Sequence, residues 1–353
     1  MKGLILSGGK GTRLRPITHT FAKQLIPVAN KPILFYALEA MQEAGIKEVG
    51  IVTGDTWKEI KEAVGDGKMW NLNITYIHQE APLGIAHAAL ISEEFIGKEP
   101  FVMYLGDNIL KEGIKRFVKE FEENLPDAQI FVSEVPNPGD FGVVIIKNGK
   151  ILKLIEKPKK PPTNLALVGV YIFNHNIFKA IKNLKPSWRG EYEITDAINW
   201  LLKNGYKVNY LKVKGWWKDT GKPRDLIEVN RILLEDLSEN IKGKIKNCKI
   251  IGKISVGENT ILENSHLRGP IIIGKNCLIK DSYIGPFTSI NDRCEIIKSE
   301  IEDSIIMEGS KIIEVEGRIE ESIIGREVII KRENLKRKVI KFVIGDHSII
   351  NLE

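Results

Sequence analysis

Near the start of the sequence, the stretch Lys2-Gly3-Leu4-Ile5-Leu6-Ser7-Gly8-Gly9-Lys10-Gly11-Thr12-Arg13-Leu14 joins a short apolar run to a glycine-rich loop. The apolar run predicts a strand that ends at Gly8-Gly9. Three glycines within four positions leave the backbone free to wrap its N–H groups around an anion, and Arg13 can hold a phosphate through two parallel hydrogen bonds. The stretch therefore predicts a phosphate-binding loop directly after the first strand.

Two common phosphate-binding loops do not match this stretch. A dinucleotide-binding fingerprint needs a third glycine at position 14, where the sequence has Leu14. A Walker loop needs Lys and then Ser or Thr after its second glycine, and neither follows Gly11 in that order. The loop therefore belongs to neither class.

Apolar strand patterns alternate with helical patterns through the first 240 residues. A helix is predicted over 32–44, where apolar residues recur on one face and Gly45 follows. Strands are predicted at 49–53, 74–77 and 101–105. Such alternation is typical of an α/β fold with a doubly wound, mostly parallel sheet, whose ligand crevice lies at the carboxyl ends of the strands. We therefore expect the chemistry just after Leu6 and just after Leu105.

After Glu239 the helical period disappears, and Ile, Val or Leu recurs about every six residues, often followed by glycine. Examples are Val256-Gly257, Ile273-Gly274, Ile284-Gly285, Ile324-Gly325 and Ile344-Gly345. This hexapeptide repeat predicts a three-sided parallel β-helix, in which aliphatic and small residues point inward. Cys277 and Cys294 are then small interior residues rather than redox groups. We predict two domains, an α/β domain at 1–240 and a hexapeptide-repeat β-helix at 241–353.

The composition excludes several classes of protein. The chain has 353 residues, 43% of them hydrophobic, and no long apolar run, so we expect a folded cytoplasmic protein without a membrane-spanning segment. The 3 cysteines contain no C-x-x-C pair and the 6 histidines no H-x-x-x-H pair, which argues against a disulfide framework and a zinc site. The net charge of +6 is interleaved with glutamate, so we expect an anionic small substrate and no nucleic acid.

Three further motifs carry side chains suited to phosphate chemistry. Asp107 follows the apolar strand that ends at Leu105, where a carboxylate can hold a hard divalent cation through its oxygens. Asp219 stands in an Asp-Thr-Gly triplet that occurs once, so the paired aspartates of an aspartic protease are excluded. Lys157, in the motif Glu156-Lys157-Pro158, can meet a second phosphate.

Together these motifs resemble those of the sugar-1-phosphate nucleotidylyltransferases. The resemblance covers the whole chain and rests on Gly8-Gly9-x-Gly11-Thr12-Arg13-Leu14-x-Pro16-x-Thr18, Lys23-Gln24-Leu25-x-Pro27-Val28, Leu105-Gly106-Asp107-Asn108, Glu156-Lys157-Pro158 and Asp219-Thr220-Gly221. Lys23-Gln24-Leu25 and Asn108 are most similar to the glucose-1-phosphate thymidylyltransferases, and the tail is similar to the left-handed β-helix of their long forms. His87, Phe141 and Leu167-Val168 depart from the family pattern, which bears on substrate stringency more than on reaction type.

The resemblance implies a reaction and its catalytic residues. A sugar-1-phosphate oxygen attacks the α-phosphorus of a nucleoside triphosphate in line and expels pyrophosphate, with no protein nucleophile. Asp107 and Asp219 are expected to hold Mg²⁺. Arg13 and Lys23 are expected to neutralise the triphosphate and the leaving pyrophosphate, and Lys157 to hold the phosphate of the sugar.

The other implied contacts form two groups. The nucleotide is expected to contact Gly8, Gly9, Gly11, Thr12, Arg13, Lys23, Gln24, Gln79, Gly84 and Asp107, of which Gln79 and Gly84 read the base. The sugar phosphate is expected to contact Gly142, Glu156, Lys157, Leu167, Gly169 and Arg189. The expected substrates are dTTP and glucose 1-phosphate, and the expected product is dTDP-glucose.

Other interpretations stay open at this point. UTP or another sugar 1-phosphate can replace the expected substrates without a change in the chemistry. The β-helix can carry an acetyltransferase with His266 and His347 as candidate bases, and the chain can be a non-catalytic scaffold. The β-helix also predicts a homo-oligomer, with a trimer favoured and a dimer or tetramer as the alternatives.

Overall fold

The computed structural model describes residues 1–332, and the predicted repeat at Ile344-Gly345 and His347 lie outside this range. The chain forms two compact units that do not divide at a single point of the sequence. The first unit comprises Met1–Lys10, Phe21–Leu25 and Ile33–Asp219, and the second comprises Gly11–Thr20, Ile26–Pro32 and, within the described residues, the chain from Thr220 onward. The boundary between residues 240 and 241 stays a prediction. No helix within residues 1–332 is long and apolar enough to cross a membrane.

The helices and strands have the following bounds. The helices are α1 (Ile33–Glu43), α2 (Trp57–Val64), α3 (Ile85–Leu90), α4 (Glu93–Ile96), α5 (Lys115–Asn124), α6 (Asn176–Lys182), α7 (Ile194–Lys203) and α8 (Pro223–Glu235). Up to residue 219 the strands are β1 (Lys2–Ser7), β2 (Pro27–Val28), β3 (Lys31–Pro32), β4 (Glu48–Thr53), β5 (Asn73–His78), β6 (Phe101–Leu105), β7 (Asn108–Leu110), β8 (Ala128–Glu134), β9 (Val143–Lys147), β10 (Lys150–Ile155), β11 (Leu165–Phe173), β12 (Val208–Lys212) and β13 (Trp217–Asp219). The later strands are β14 (Asn240–Ile241), β15 (Lys244–Lys246), β16 (Lys249–Ile251), β17 (Ile254–Val256), β18 (Ile261–Glu263), β19 (His266–Arg268), β20 (Ile271–Ile273), β21 (Leu278–Lys280), β22 (Tyr283–Ile284), β23 (Thr288–Ile290), β24 (Glu295–Ile297), β25 (Glu300–Ile301), β26 (Ile305–Ile306), β27 (Lys311–Ile313), β28 (Arg318–Ile319), β29 (Ile323–Ile324) and β30 (Ile329–Lys331).

A nine-stranded sheet forms the centre of the first unit, in the order β10-β9-β11-β6-β1-β4-β5, with β8 paired to β11 and β12 paired to β8. The strands β6, β1, β4 and β5 run parallel, and β11 pairs antiparallel with β6, β8 and β9. Neighbouring residues of β1 point to opposite faces of the sheet. Ile5 packs in a core cluster with residues of α1, α2 and α5, and Leu4 packs in another with residues of α3, α6 and α7. This confirms the predicted doubly wound α/β fold.

The parallel strands bring their carboxyl ends to one edge of the sheet. Leu6 of β1 pairs with Leu105 of β6, so the loops that begin at Gly8 and Gly106 start side by side. A Cβ atom at Gly106 would lie 3.0 Å from the carbonyl oxygen of Leu6, so glycine lets the two strands end this close together. The chemistry expected after Leu6 and after Leu105 therefore meets at one place.

The second unit contains three parallel sheets, ordered β14-β17-β20-β23-β26-β29, β15-β18-β21-β24-β27-β30 and β16-β19-β22-β25-β28. Each complete coil within the described residues adds one strand to each sheet, and aliphatic side chains stack inside. One such column consists of Leu262, Ile279, Ile296 and Ile312, which are all buried. Cys277 and Cys294 are buried as well, as predicted for small interior residues. The arrangement confirms the predicted β-helix and is consistent with the left-handed form.

Within the second unit, the buried amide of Asn230 connects helix α8 to two other elements. Its Oδ1 atom accepts hydrogen bonds from the backbone N–H of Ala29 at 2.8 Å and from the Ser289 hydroxyl at 2.5 Å. Its Nδ2 atom donates to the carbonyl oxygen of Phe287 at 2.8 Å. The side chain therefore links α8 both to the β2–β3 hairpin and to one coil of the β-helix.

Replacing Asn230 with alanine should lower the free energy of unfolding by about 2–4 kcal/mol, because one buried and two partly buried polar groups then lose their partner. Urea unfolding followed by circular dichroism measures this change. Asn124→Ala is the matched control, because Asn124 is exposed and its amide donates to Glu120 within α5. The control should change stability by less than about 1 kcal/mol. If Asn230→Ala lowers the free energy of unfolding no more than the control does, the Asn230 side chain does not stabilise the fold as described.

Candidate active site

A mostly buried ion pair joins the 3-10 turn Lys23–Leu25 to the loop after β6. The paired side chains of Lys23 and Asp107 are 16% and 15% exposed, and a Cβ atom at Gly9 would lie 3.0 Å from Cε of Lys23. Burial by itself raises the pKa of Asp107, but the charge of Lys23 and the hydrogen bonds from Lys23 and Asn108 hold it below its ordinary value. Asp107 is therefore an anion at neutral pH, held beside the glycine-rich loop.

Asn108 supports Asp107 from the other side. Its Nδ2 atom donates to Oδ1 of Asp107 at 3.0 Å, and its Oδ1 atom accepts a hydrogen bond from Nε1 of Trp217 at 2.6 Å. A Cβ atom at Gly169 would lie 2.5 Å from Oδ1 of Asn108, so glycine leaves the space that the Asn108 amide occupies. The contact of Gly169 with a sugar stays a prediction. Asn108 belongs to the motif Leu105-Gly106-Asp107-Asn108, but the sequence alone did not indicate that its side chain supports Asp107.

The short antiparallel pair of β13 and β7 brings Asp219 close to Asp107. Its register places Asp219 opposite Asn108, the residue that follows Asp107. Mg²⁺ prefers oxygen ligands and is commonly held by one or two carboxylates together with phosphate oxygens and water. Within residues 1–332, no group of three or more His, Cys, Asp or Glu side chains is placed to hold a metal ion. The two carboxylates therefore fit a metal that takes its other ligands from the substrates and water.

Gln79, Gly84 and Gly8 also lie together. Gln79 follows β5, and a Cβ atom at Gly8 would lie 3.3 Å from Oε1 of Gln79. The Nε2 atom of Gln79 lies 3.0 Å from Nδ1 of His87 and 3.4 Å from the carbonyl oxygen of Gly84. Gly84 precedes α3 with φ +103°, and a Cβ atom there would lie 2.6 Å from the carbonyl oxygen of Tyr192. Both predicted base contacts therefore sit beside the glycine-rich loop.

Glu156 is the centre of a second polar cluster. A Cβ atom at Gly142 would lie 3.2 Å from Oε2 of Glu156, and the Thr195 hydroxyl donates to the same oxygen at 3.1 Å. The backbone N–H of Leu167 donates to the carbonyl oxygen of Gly142 at 2.8 Å. The structure thus brings together three predicted sugar contacts, Gly142, Glu156 and Leu167. Sequence analysis did not single out Thr195, because nothing in its own neighbourhood pairs it with Glu156.

Arg189 lies among carboxylates of this cluster. Its guanidinium nitrogens are 3.7 Å from Glu156, 2.9 Å from Glu191 and 3.4 Å from Glu193. Burial raises the pKa of Glu193, and burial together with the charge of Glu193 raises the pKa of Glu156. Arg189 therefore offsets negative charge beside Glu156, and its contact with a sugar phosphate stays a prediction. Glu193, with a 4% exposed side chain, was missed by the sequence analysis.

Two further predicted residues have unusual surroundings. Lys157 has an exposed side chain and a left-handed backbone with φ +37°, a conformation that is rare for lysine and is often found at functional sites. Its backbone N–H donates to the carbonyl oxygen of Phe141 at 3.1 Å. Gln24 is 1% exposed, and its Oε1 atom has no hydrogen-bond partner within residues 1–332.

The remaining predicted nucleotide contacts lie in the segment Gly11–Thr20 of the second unit. Gly11 has φ +61° and precedes a 3-10 turn at Thr12–Leu14, and the Thr18 hydroxyl donates to the carbonyl oxygen of Gly11 at 2.7 Å. Arg13 is exposed within this turn. The roles of Gly11, Thr12 and Arg13 toward a nucleotide stay predictions.

Replacing Glu156 with glutamine should stabilise the protein at neutral pH. Since the pKa of Glu156 is raised, its ionised form costs stability as the pH rises above the ordinary glutamate pKa of about 4.3. We expect the variant to melt about 2 °C or more above the parent protein at pH 7, and to show no gain below pH ~4, where the carboxyl group is protonated in both states.

Thermal unfolding followed by circular dichroism at several pH values measures this difference. Glu134→Gln is the control, because Glu134 has a 61% exposed side chain and forms a surface ion pair with Lys212. A Glu156→Gln variant less stable than the control at pH 7 would show that the carboxylate stabilises the fold.

Similar proteins indicate the family of this chain. A family model described as nucleotidyl transferase matches residues 2–236. A glucose-1-phosphate thymidylyltransferase from Streptomyces antibioticus is 49% identical, and the match covers 100% of both chains. A nucleotidyltransferase of low-salt glycan biosynthesis from Haloferax volcanii is 48% identical, again over 100% of both chains.

A solved structure is similar to the first part of the chain. It is that of a provisionally assigned glucose-1-phosphate thymidylyltransferase from Bacillus anthracis, in complex with sucrose. The two are 38% identical with a TM-score of 0.64, over 68% of this chain and 98% of that one. The chain therefore belongs to the sugar-phosphate nucleotidylyltransferase family and is an enzyme that transfers a nucleotidyl group.

Proposed function

We propose that the protein catalyses the Mg²⁺-dependent formation of dTDP-glucose and pyrophosphate from dTTP and glucose 1-phosphate. The observation that carries this proposal is the placement of ionised Asp107, paired with Lys23, next to the register position of Asp219. The full-length similarity to the Streptomyces antibioticus thymidylyltransferase supports the choice of nucleotide and sugar.

On the nucleotide side, the chain supplies positive charge and backbone donors. Both substrates carry phosphate, so the in-line attack brings several negative charges together. Lys23 provides a fixed ammonium beside Gly9, and the N–H groups of the glycine-rich loop can bind phosphate oxygens. Arg13 is proposed to neutralise the leaving pyrophosphate. When bound, Mg²⁺ would be held by Asp107 and Asp219 and would neutralise phosphate charge.

On the sugar side, the chain supplies acceptors and a lysine. We propose that Glu156 accepts hydrogen bonds from two sugar hydroxyls, with Gly142 leaving room for its carboxylate. Lys157 is proposed to hold the sugar phosphate, assisted by Arg189. The attacking atom is an oxygen of the sugar phosphate, so this arrangement needs no protein nucleophile. Catalysis then comes from positioning and from charges that are in place beforehand.

Pyrophosphate release over a panel of substrates tests the assignment. The panel combines dTTP, UTP, ATP and GTP with the 1-phosphates of glucose, galactose, mannose and N-acetylglucosamine, with Mg²⁺ or with EDTA. We expect dTTP with glucose 1-phosphate among the best pairs and no turnover in EDTA. If that pair is among the poorest, the substrate assignment is wrong, and a preference for UTP supports its main rival. Acetyl transfer to glucosamine 1-phosphate, measured in parallel, tests the acetyltransferase alternative.

Asp107→Asn and Asp219→Asn should each lower kcat at least about a hundredfold, because each removes one anionic ligand of the metal. Circular dichroism should show that both variants remain folded. Asp66→Asn is the control, because Asp66 is exposed and paired with Lys68 at 2.6 Å, and it should keep its activity. Near-normal turnover in both test variants would refute the metal assignment.

We also propose that the protein forms a homo-oligomer through the β-helix, with a trimer favoured over a dimer or tetramer. The outer face of the sheet that runs from β15 to β30 supports this, because most of its coils carry an aliphatic side chain there. These residues are Ile261, Leu278, Ile297, Ile313 and Ile329, of which Ile261 is 43% and Ile329 62% exposed. Light scattering of the full chain gives the number of subunits. A cytoplasmic location stays a prediction.

A further inference from the structure

The guanidinium nitrogen Nη1 of Arg189 lies between two carboxylates. It donates a hydrogen bond to Oε1 of Glu193 at 3.4 Å and lies 3.7 Å from Oε1 of Glu156, which is beyond hydrogen-bond distance. The other terminal nitrogen, Nη2, donates to Glu191 at 2.9 Å. Arginine carries donors only and stays charged, so these donor and acceptor roles cannot be exchanged. Of the two carboxylates beside Nη1, Glu193 is therefore the one that holds it.

Ser187 fixes the Glu193 carboxylate in turn. The backbone N–H of Arg189 donates to Oγ of Ser187 at 3.1 Å, and the Ser187 hydroxyl donates to Oε1 of Glu193 at 2.9 Å. Glu193 directly precedes α7 and has a 4% exposed side chain, which leaves its carboxylate little room to move. Arg189 is thus bound to this carboxylate through its side chain and, by way of Ser187, through its backbone.

Glu156 keeps one carboxylate oxygen open as a result. Its Oε2 atom accepts from the Thr195 hydroxyl at 3.1 Å, whereas within residues 1–332 no hydrogen bond reaches its Oε1 atom. If Nη1 of Arg189 moved about 1 Å closer, it would form a charge-assisted hydrogen bond of ~2.8 Å to this oxygen. A sugar hydroxyl would then have to compete with a cation for its acceptor. The hydrogen bond between Arg189 and Glu193 prevents that approach.

We propose that Glu193 is a positioning residue for the sugar 1-phosphate, which acts by holding Arg189 away from Glu156. The proposal rests on the proposed function, in which Glu156 accepts hydrogen bonds from sugar hydroxyls and Arg189 assists Lys157 at the sugar phosphate. Glu193 itself contacts neither group of the sugar phosphate. It keeps a cation and an acceptor apart where they would otherwise pair, so the cation remains for the phosphate and the acceptor for the hydroxyls.

The test replaces Glu193 with leucine in the full chain. Leucine fills much of the buried space and offers no acceptor, so Nη1 of Arg189 can turn to Glu156. We expect KM for glucose 1-phosphate to rise at least about tenfold and KM for dTTP to change little, because only the sugar loses its acceptor. Glu193→Gln keeps a carbonyl oxygen that can accept from Arg189 and from Ser187, so its KM values should stay close to those of the parent enzyme.

A second measurement needs no substrate. In the parent protein, Glu156→Gln is expected to raise the melting temperature at pH 7. In the Glu193→Leu background the same substitution should lower it, because Glu156 then pairs with Arg189 and its replacement breaks the pair. In the Glu193→Gln background, which also lacks the charge of Glu193, Glu156→Gln should not lower the melting temperature. The two backgrounds therefore separate the loss of the hydrogen bond from the loss of the charge.

Glu93→Leu is the matched control. Glu93 also has a mostly buried side chain, 27% exposed, and accepts a hydrogen bond from a cation, Nζ of Lys182, at 2.7 Å. This substitution should leave both KM values unchanged. In its background, Glu156→Gln should raise the melting temperature as it does in the parent protein.

The outcomes separate this inference from the proposed function. If Glu193→Leu keeps the parent KM for glucose 1-phosphate, or if Glu156→Gln still raises the melting temperature in that background, the inference is wrong and the proposed function stands. If the parent enzyme uses no sugar 1-phosphate, the proposed function fails and the role of Glu193 toward the sugar fails with it. The melting temperatures then still show whether Glu193 holds Arg189 away from Glu156. If Glu193→Leu does not fold, Glu193→Ala is measured by the same criteria.

Discussion

The ion pair between Lys23 and Asp107 is the interaction on which the site depends. Removing one partner of a buried pair leaves an uncompensated charge, at a cost of about 3–5 kcal/mol. Lys23 therefore keeps Asp107 ionised, and Asp107 keeps the Lys23 ammonium beside Gly9. Because the two charges are fixed before any substrate binds, little reorganisation is needed when phosphates arrive. Their position follows from the parallel strands, whose carboxyl ends start the loops at one edge.

The cluster around Glu156 differs from this ion pair, because its negative charge is only partly balanced. Burial raises the pKa values of Glu156 and Glu193, the charge of Glu193 raises that of Glu156 further, and Arg189 offsets only part of their negative charge. Such a cluster costs stability in the free protein, which is typical of sites that are kept for binding. Hydroxyl groups of a sugar can satisfy these acceptors, and Lys157 is proposed to hold the phosphate of the sugar. One cation faces one carboxylate in the Lys23–Asp107 pair, whereas Arg189 lies among three carboxylates in the Glu156 cluster.

Much of this arrangement could be predicted from the sequence, because the geometry of a parallel sheet places residues that follow different strands at one edge. From that rule we predicted that the loops after Leu6 and Leu105 carry the chemistry, and the structure places their starts side by side. The roles of Asn108 and Glu193 could not be predicted in the same way. Their partners, such as Gly169 and Arg189, are set by packing and by side-chain directions that no local pattern encodes. The same holds for the segment Gly11–Thr20, which the chain order assigns to one domain and the structure to the other unit.

The central claim is that this chain positions charge around an in-line displacement and supplies no nucleophile. One displacement inverts the configuration at the α-phosphorus, whereas a covalent nucleotidyl–protein intermediate requires two displacements and retains it. The direct measurement is turnover of one diastereomer of dTTP with sulfur on the α-phosphorus, with glucose 1-phosphate as the acceptor and the product configuration determined by phosphorus NMR. The account predicts inversion. Retention would contradict it.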